Sequence, residues 1–374
     1  MGSHGHGEPP PSPSPSPSPS PSPSPSPSPS PSTRRPVCAK CTKPVKLCLC
    51  SRFASPPLDT SISITVLQHT HEIKHPLNST RVAKLGFKNI SVTHISDVNL
   101  HARLEIHPLK AQLSGSEPTR LGGSTVNGED ANCATVTDGE KERPEIYKSR
   151  ENPKPGKGFL NAHLNLNLNG GDEGGNGISI VTKEMNKYKV TCSPTSLTVT
   201  IERTAKPNLN WVPKTTIGKS LIKNGFQVKK FHTKKKSNST QIYEIVEYDM
   251  IVPPNSVLLF PNEKSLGLDS VDFEVKNLIV LDGTWAKAQR MYHENPWLKL
   301  LPHIKLDSVK ESLYSEVRHE PKSGCLSTIE SIVFALKKFG EDAERLDLIL
   351  GVFESMILDQ RRCKEEKFSD LSQP

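Results

Sequence analysis

Four cysteines crowd into the thirteen residues "CAKCTKPVKLCLC", at Cys38, Cys41, Cys48 and Cys50. Two close pairs, Cys-x2-Cys and Cys-x-Cys, can offer four thiolates to one tetrahedral Zn2+, which ties together a segment too short to hold a core of its own. Two disulfides are the alternative, and they need an oxidising compartment for which the sequence carries no export signal. A structural zinc knuckle over 34–58 is therefore expected. Cys133, Cys192, Cys325 and Cys363 are isolated and read as ordinary small side chains.

A second constellation stands at 278–292, "LIVLDGTWAKAQRMY". Four apolar residues, a break at Asp-Gly, and then apolar groups at helical spacing describe a buried strand that turns into a helix. Asp282 sits at the mouth of that strand. A carboxylate there can act as a general base, hold a cationic ligand, or cap the helix that follows, with Thr284 as the rival cap. Gly283 lets the chain turn sharply or admits a ligand against the backbone. Trp285, Ala288 and Tyr292 share one helical face, which favours a packed anchor at Trp285 over a stacking platform. In "QHTHEIKHPLNST" (68–80), His69, His71 and His75 could suggest a second metal. Together with Glu72, Asn78 and Thr80 they read better as a polar loop supporting a ligand or RNA.

The net charge is +8, and a polyanion is the partner such a balance suits. From Arg203 to Lys236 there are ten Lys or Arg and no Asp or Glu, interleaved with Trp211, Phe226 and Phe231 and ending in Lys234, Lys235 and Lys236. Phosphate contact with base stacking would use this basic segment at about 203–236. A solvated surface with three aromatics in the core would produce the same composition.

These side chains need elements to position them. "SISITVLQH" and "GFKNISVTHISDV" are strand candidates, and "HEIKHPLNSTRVAKL" between them leads from a loop into a helix. "ISIV", "YKVTC" and "LTVTIE" follow, then "SVLLFP" and "NLIVLDGTW", two apolar runs of buried-strand length. In "LSTIESIVFALKKFG" the residues Ile329, Ile332, Val333, Leu336 and Phe339 form one face, and Ser327 with Glu330 forms a capping box. A second amphipathic run, "RLDLILGVFESMILDQRR", carries Leu346, Ile349, Val352, Phe353 and Met356. Alternating strands and helices predict an α/β fold with a mainly parallel sheet and a ligand site beyond the carboxyl ends of its strands. Residues 60–100 and 240–362 suffice for that core.

Residues 11–32 are eleven Pro-Ser pairs, so 1–33 is expected to be a disordered tail. Residues from about 101 to 177 look patternless, polar and rich in Asn and Gly, as in an insertion, and 363–374 reads as a C-terminal tail. No apolar signal core and no membrane-length apolar run occurs, so a non-membrane protein of the cytoplasm or nucleus is expected. A monomer is the favoured oligomeric state.

Five blocks then line up: the paired cysteines at 38–50, "LQHTHEIKHPLNST" at 67–80, "LLFP" at 258–261, "LDGTW" at 281–285, and "RHEPKSGCLSTIES" at 318–331. In kind and order they resemble the DTW-domain family, named for its Asp-x-Thr-Trp motif. The resemblance covers roughly 30–100 and 245–360, with about 140 residues inserted after the second strand. It implies a SPOUT-like α/β sheet with a C-terminal knotted site for S-adenosylmethionine, and transfer of the 3-amino-3-carboxypropyl group from that donor to N3 of a tRNA uridine. On this reading Leu259, Phe260, Pro261, Leu281, Gly283, Thr284, Trp285, Leu326, Ser327, Thr328 and Glu330 line the pocket, Glu330 with its capping box as the simpler role. Asp282 is base or cofactor clamp. His69, Glu72, Asn78, Thr80 and the three lysines 234–236 face RNA. A SPOUT-like RNA methyltransferase and a non-catalytic zinc-containing RNA-binding protein are the rival readings.

Overall fold

The computed structural model describes residues 1–2, 36–110, 180–235, 242–307, 312–313 and 325–371, so the Pro-Ser tail, Cys133, Lys236 and most of the expected insertion lie outside it. In chain order the strands are β1 (Ser63–His69), β2 (Ile90–Ile95), β3 (His101–Pro108), β4 (Val181–Met185), β5 (Tyr188–Cys192), β6 (Leu197–Glu202), β7 (Phe226–Lys235), β8 (Ile242–Val252), β9 (Ser256–Leu259), β10 (Leu266–Gly267), β11 (Asn277–Asp282) and β12 (His303–Lys305). The helices are α1 (Thr80–Gly86), α2 (Thr216–Asn224), α3 (Trp285–Glu294), α4 (Thr328–Lys338) and α5 (Ala343–Leu371).

Among the described residues the strands form two sheets. One is wholly parallel, in the order β10-β12-β9-β11-β1-β2; the other is antiparallel, in the order β4-β5-β6-β3-β7-β8. The sequence writes this difference. β1 and β11 are almost continuously buried runs because both of their faces are covered, whereas β3, β6 and β7 alternate buried with half-buried or exposed positions because one face is only partly covered. The single mainly parallel sheet expected from the pattern is thus corrected to a parallel sheet plus an antiparallel one of equal strand number. The expected insertion also begins later: residues 101–108, "HARLEIHP", are β3, whose Ala102, Leu104 and Ile106 alternate into the core. The expected C-terminal tail is helical to Leu371, since good helix formers continue past the apolar stripe of α5.

The parallel sheet separates two cores. Ile64, Val66, Leu278 and Val280 face a cluster under α1, α4, α5 and the cysteine segment. Leu67, Ile279 and Leu258 face α3 and the inner side of the antiparallel sheet, where Leu104, Val199 and Val228 lie. A buried polar hub joins the sheets: Glu247 accepts from Ser96 N and Oγ, His232 Nε2 and Lys230 Nζ, while Lys230 also reaches Asn295. Burial alone would raise the Glu247 carboxyl, but the His232 hydrogen bond, Lys230, and Ser96 bring it down to about 2.

Candidate active site at the carboxyl ends of the parallel strands

β1 and β11 are in register, Gln68 opposite Asp282, so both side chains leave the sheet on the α1/α4 side at its carboxyl edge. The Asp282 carboxylate is buried and takes three hydrogen bonds: Gln68 Nε2 (2.6 Å) and Thr80 Oγ1 (2.8 Å) on Oδ2, and Thr328 Oγ1 (2.6 Å) on Oδ1. Thr80 and Thr328 are the first residues of α1 and α4, so one side chain joins two strands to two helix starts. The expectation that Asp282 or Thr284 caps α3 is corrected. Asp282 is engaged elsewhere, and Thr284 makes no side-chain capping bond. All three donors to Asp282 are neutral. Among the described residues no Lys, Arg or His comes within ion-pair distance of it, which leaves a buried anion suited to a cationic ligand.

The loop ahead of α1 is built to deliver Thr80. Asn78 Oδ1 accepts from Gln68 Nε2 (3.2 Å) and Thr80 N (3.0 Å), and its Nδ2 donates to Glu72 O (2.9 Å). Glu72 pairs with Lys287 of α3 at 2.9 Å. His69, on the opposite face of β1, accepts the His71 amide at Nδ1, so its proton is on Nε2, which meets Asp97 Oδ1 at 3.2 Å. Asp97 in turn pairs with Arg290 (3.1 Å), and Arg290 with Glu294 (2.9 Å). His69, Glu72, Asn78 and Thr80, the residues expected to face RNA, are all buried, and Asn78 and Thr80 among them belong to the Asp282 cluster. Asp97, Lys287 and Arg290 escaped sequence reasoning, and Gln68 was read there only as part of the polar loop. Gln68 alone had a local signal, a polar residue closing an apolar strand.

Leu259, Phe260 and Pro261 end β9, Leu281 and Gly283 flank Asp282, and Leu326 and Ser327 precede α4, so the three expected loops do share one edge of the sheet. A Cβ on Gly283 would stand 3.2 Å from Lys287 Cβ and 3.5 Å from His69 Cβ, so the small residue serves close packing. Trp285 and Tyr292, two helical turns apart on α3, leave room of about 10 Å for one ring. Phe260 fills it, with ring centroids at 5.4 Å from Trp285 and 4.6 Å from Tyr292, stacked nearly parallel to both. Trp285 is nevertheless 43% exposed, so its anchor role covers one ring face only. The capping box is present: Ser327 Oγ accepts from Glu330 N, and Glu330 Oε2 from Ser327 N. Glu330 also accepts from Ser312 Oγ and Leu313 N, both at 2.8 Å, which commits its carboxylate to holding the incoming chain.

Cys38 and Cys50 lie 3.8 Å apart and Cys41 and Cys48 3.7 Å apart, and all four sulfurs fall within 4.8 Å of one another. Tetrahedral Zn–S bonds of about 2.3 Å require sulfur–sulfur edges of about 3.8 Å, a spacing that the Cys38–Cys50 and Cys41–Cys48 edges already have. Backbone N–H groups of Cys41 and Lys40 pull Cys38 down to about 6, while burial and the other three cysteines push Cys50 up to about 12. Four neighbouring thiols cannot all ionise without a cation between them, and a divalent ion would supply that charge.

The basic segment looks different in space. Lys230 is fully buried on Glu247, Lys229 pairs with Asp249 across the β7–β8 ladder, and Phe226 packs edge-on against Trp297 in the core. Phe231 lies beneath Arg103, which Glu244 and Glu105 neutralise. The acids missing from 203–236 arrive from β8 and β3. Lys234 and Lys235 are exposed at the end of β7; Lys236 is outside the described residues.

Comparison with known proteins bears on the same segments. No solved structure matches. A stretch of 80 residues is 39% identical to tRNA-uridine aminocarboxypropyltransferase 2 of Drosophila melanogaster, covering 21% of this chain and 32% of that protein. The Macaca fascicularis protein of the same name is 31% identical over 87 residues (22% and 28% of the two chains), and tRNA-uridine aminocarboxypropyltransferase A of Arabidopsis thaliana 33% over 58 residues (16% and 22%). The matched stretches thus span no more than 32% of these relatives' lengths. The DTW domain model matches residues 35–113 and 212–361, the segments that carry the cysteine cluster, the Asp282 site and the whole parallel sheet, and the chain belongs to the DTW domain family.

Proposed function

We propose that this protein transfers the 3-amino-3-carboxypropyl group of S-adenosylmethionine to N3 of a uridine in tRNA, leaving acp3U and methylthioadenosine. The observation that carries the reading is Asp282, a buried anion with only neutral donors, at the carboxyl edge of a parallel sheet where such folds bind ligands. A donor bearing a sulfonium and an ammonium group provides the missing counter-charge. In the reaction the uridine nitrogen forms a bond to the chain's terminal methylene carbon, the carbon–sulfur bond breaks with its electron pair going to sulfur, and the N3 proton passes to solvent. Asp282 serves as clamp for the cationic donor. Thr328 and Thr80 fix its rotamer, and pose then decides which of the three sulfonium carbons is presented.

The printed names of the relatives support tRNA as acceptor, as does the net charge of +8. Lys234 and Lys235 are the exposed cations we assign to it, with Lys236. A knotted, SPOUT-like donor site is supported by topology: residues 260–265 pass from β9 to β10 across β12, which lies between them. Zinc at Cys38, Cys41, Cys48 and Cys50 completes the reading. Among the described residues no helix is long and apolar enough to cross a membrane, and we place the protein in cytoplasm or nucleus, which a fluorescent fusion tests. The decisive experiment incubates purified protein with S-adenosylmethionine and tRNA and digests the tRNA for nucleoside mass analysis. A methyl adduct would make the protein a methyltransferase, and no adduct with intact donor would make it a binding protein.

A further inference from the structure

The cysteine knuckle touches the loop that carries Asn78 and Thr80. Lys43, between the ligand candidates Cys41 and Cys48, is buried and donates from Nζ to Pro76 O at 3.0 Å. Its neighbour Thr42 sits at a left-handed φ of 58° and accepts from Arg81 Nε at 3.0 Å. The Arg81 guanidinium spans the same loop, donating to His75 O at 2.7 Å and Ile73 O at 3.0 Å. On the knuckle's side, Cys38 and residues 42–43 are closed into a turn by Thr42 N to Cys38 O and Cys38 N to Lys43 O, both 2.8 Å. On the loop's other side, Asn78 and Thr80 end on Gln68 and Asp282.

A non-glycine residue at positive φ and a buried ammonium both cost free energy, and both persist only where the surroundings fix them. Leu49 packs the segment onto the protein's core, and ligation of the cysteines on either side of residues 42 and 43 would fix the turn itself, which has no core of its own. Four thiolates on one divalent ion also leave a net negative centre. The cations beside it, Lys43 and Arg81, with Arg52 shared with Asp359, are the complement of that charge.

We propose that Lys43 is a positioning residue through which the metal-loaded knuckle holds the 73–80 loop, and with it Thr80 and Asp282, in the geometry that binds the donor. This rests on the proposed donor site only for the affinity arm of its test, since the loop can be read without ligand. The test uses the full chain with Lys43→Met, which keeps the aliphatic stem and removes the donor, and Lys43→Arg, which restores a donor to the same carbonyl.

Lys43→Met should keep one zinc per chain by elemental analysis and keep its far-ultraviolet spectrum. Its amides at 78–82 should exchange with deuterium several-fold faster without ligand, and S-adenosylmethionine affinity by calorimetry should fall about tenfold, the scale of one buried hydrogen bond from a charged group. Lys43→Arg should recover most of both. Unchanged exchange at 78–82 would overturn the proposal, and so would loss of zinc in parallel with affinity, which would make Lys43 a part of the knuckle alone. Wild-type protein that binds no S-adenosylmethionine would sink the donor-site reading and leave the exchange result to judge Lys43 by itself.

Discussion

Removing the Asp282 carboxylate strands three donors in a buried space. Asp282→Ala should therefore lower stability by several kcal/mol, at about 1–3 kcal/mol for each unsatisfied buried group. Asp282→Asn keeps the volume but turns an amide NH2 toward hydroxyl and amide donors and removes the charge. Both variants should lose S-adenosylmethionine affinity along with rate, measured by calorimetry and by product formation. Affinity retained at near-native level, with rate alone lost, would return Asp282 to the role of base. Trp285 and Trp297 make a control pair. Trp297 is fully buried, and its replacement by Ala should cost about 3–5 kcal/mol in denaturant unfolding, whereas Trp285→Ala at an exposed ring should cost far less. What the sequence made legible at this scale was Asp282's place at a strand mouth and the Ser327–Glu330 capping box. Its partners were not legible, because Thr80 lies 202 residues away and Gln68 214. No local pattern announces such a meeting.

Between elements, the Glu247 hub is the joint of the two sheets. Its folded carboxyl lies near 2 against an ordinary 4.5, so its stabilisation is fully present above pH 4.5 and is lost as pH falls from there toward 2. The shift corresponds to roughly 3 kcal/mol. Glu247→Gln should destabilise the protein by that order at pH 7 and flatten this part of the acid limb, seen in urea unfolding at stepped pH. An acid limb as steep as that of the wild type would show that Glu247 is not the group responsible. The antiparallel sheet itself was half legible. "LTVTIE" alternates openly, but "HARLEIHP" was hidden by the polar text that follows it, and the pairing of Lys229 and Lys230 with β8 acids cannot be read from a segment that contains no acid.

At the scale of the molecule, the +8 net charge is partly spent inside, on Lys230 and on paired cations of the antiparallel sheet. A double reversal, Lys234→Glu with Lys235→Glu, should weaken tRNA binding, reduce its log–log salt slope by up to about 2, and leave donor affinity unchanged. An unaltered slope would move the tRNA face elsewhere. Fold class was readable because buried runs and helical stripes were strong. The division into two sheets was not, since a strand's neighbours depend on the whole topology.

β1 lies in the interior of its sheet, paired on one edge with β2, which follows it closely, and on the other with β11. During synthesis the second edge must wait for residue 277. At about 5–20 residues per second, that wait lasts on the order of 10–40 s, with an apolar strand edge unpaired. The site cannot assemble before then, since Thr328 comes later still. The antiparallel sheet, whose strands all emerge within that interval, is the part able to fold first.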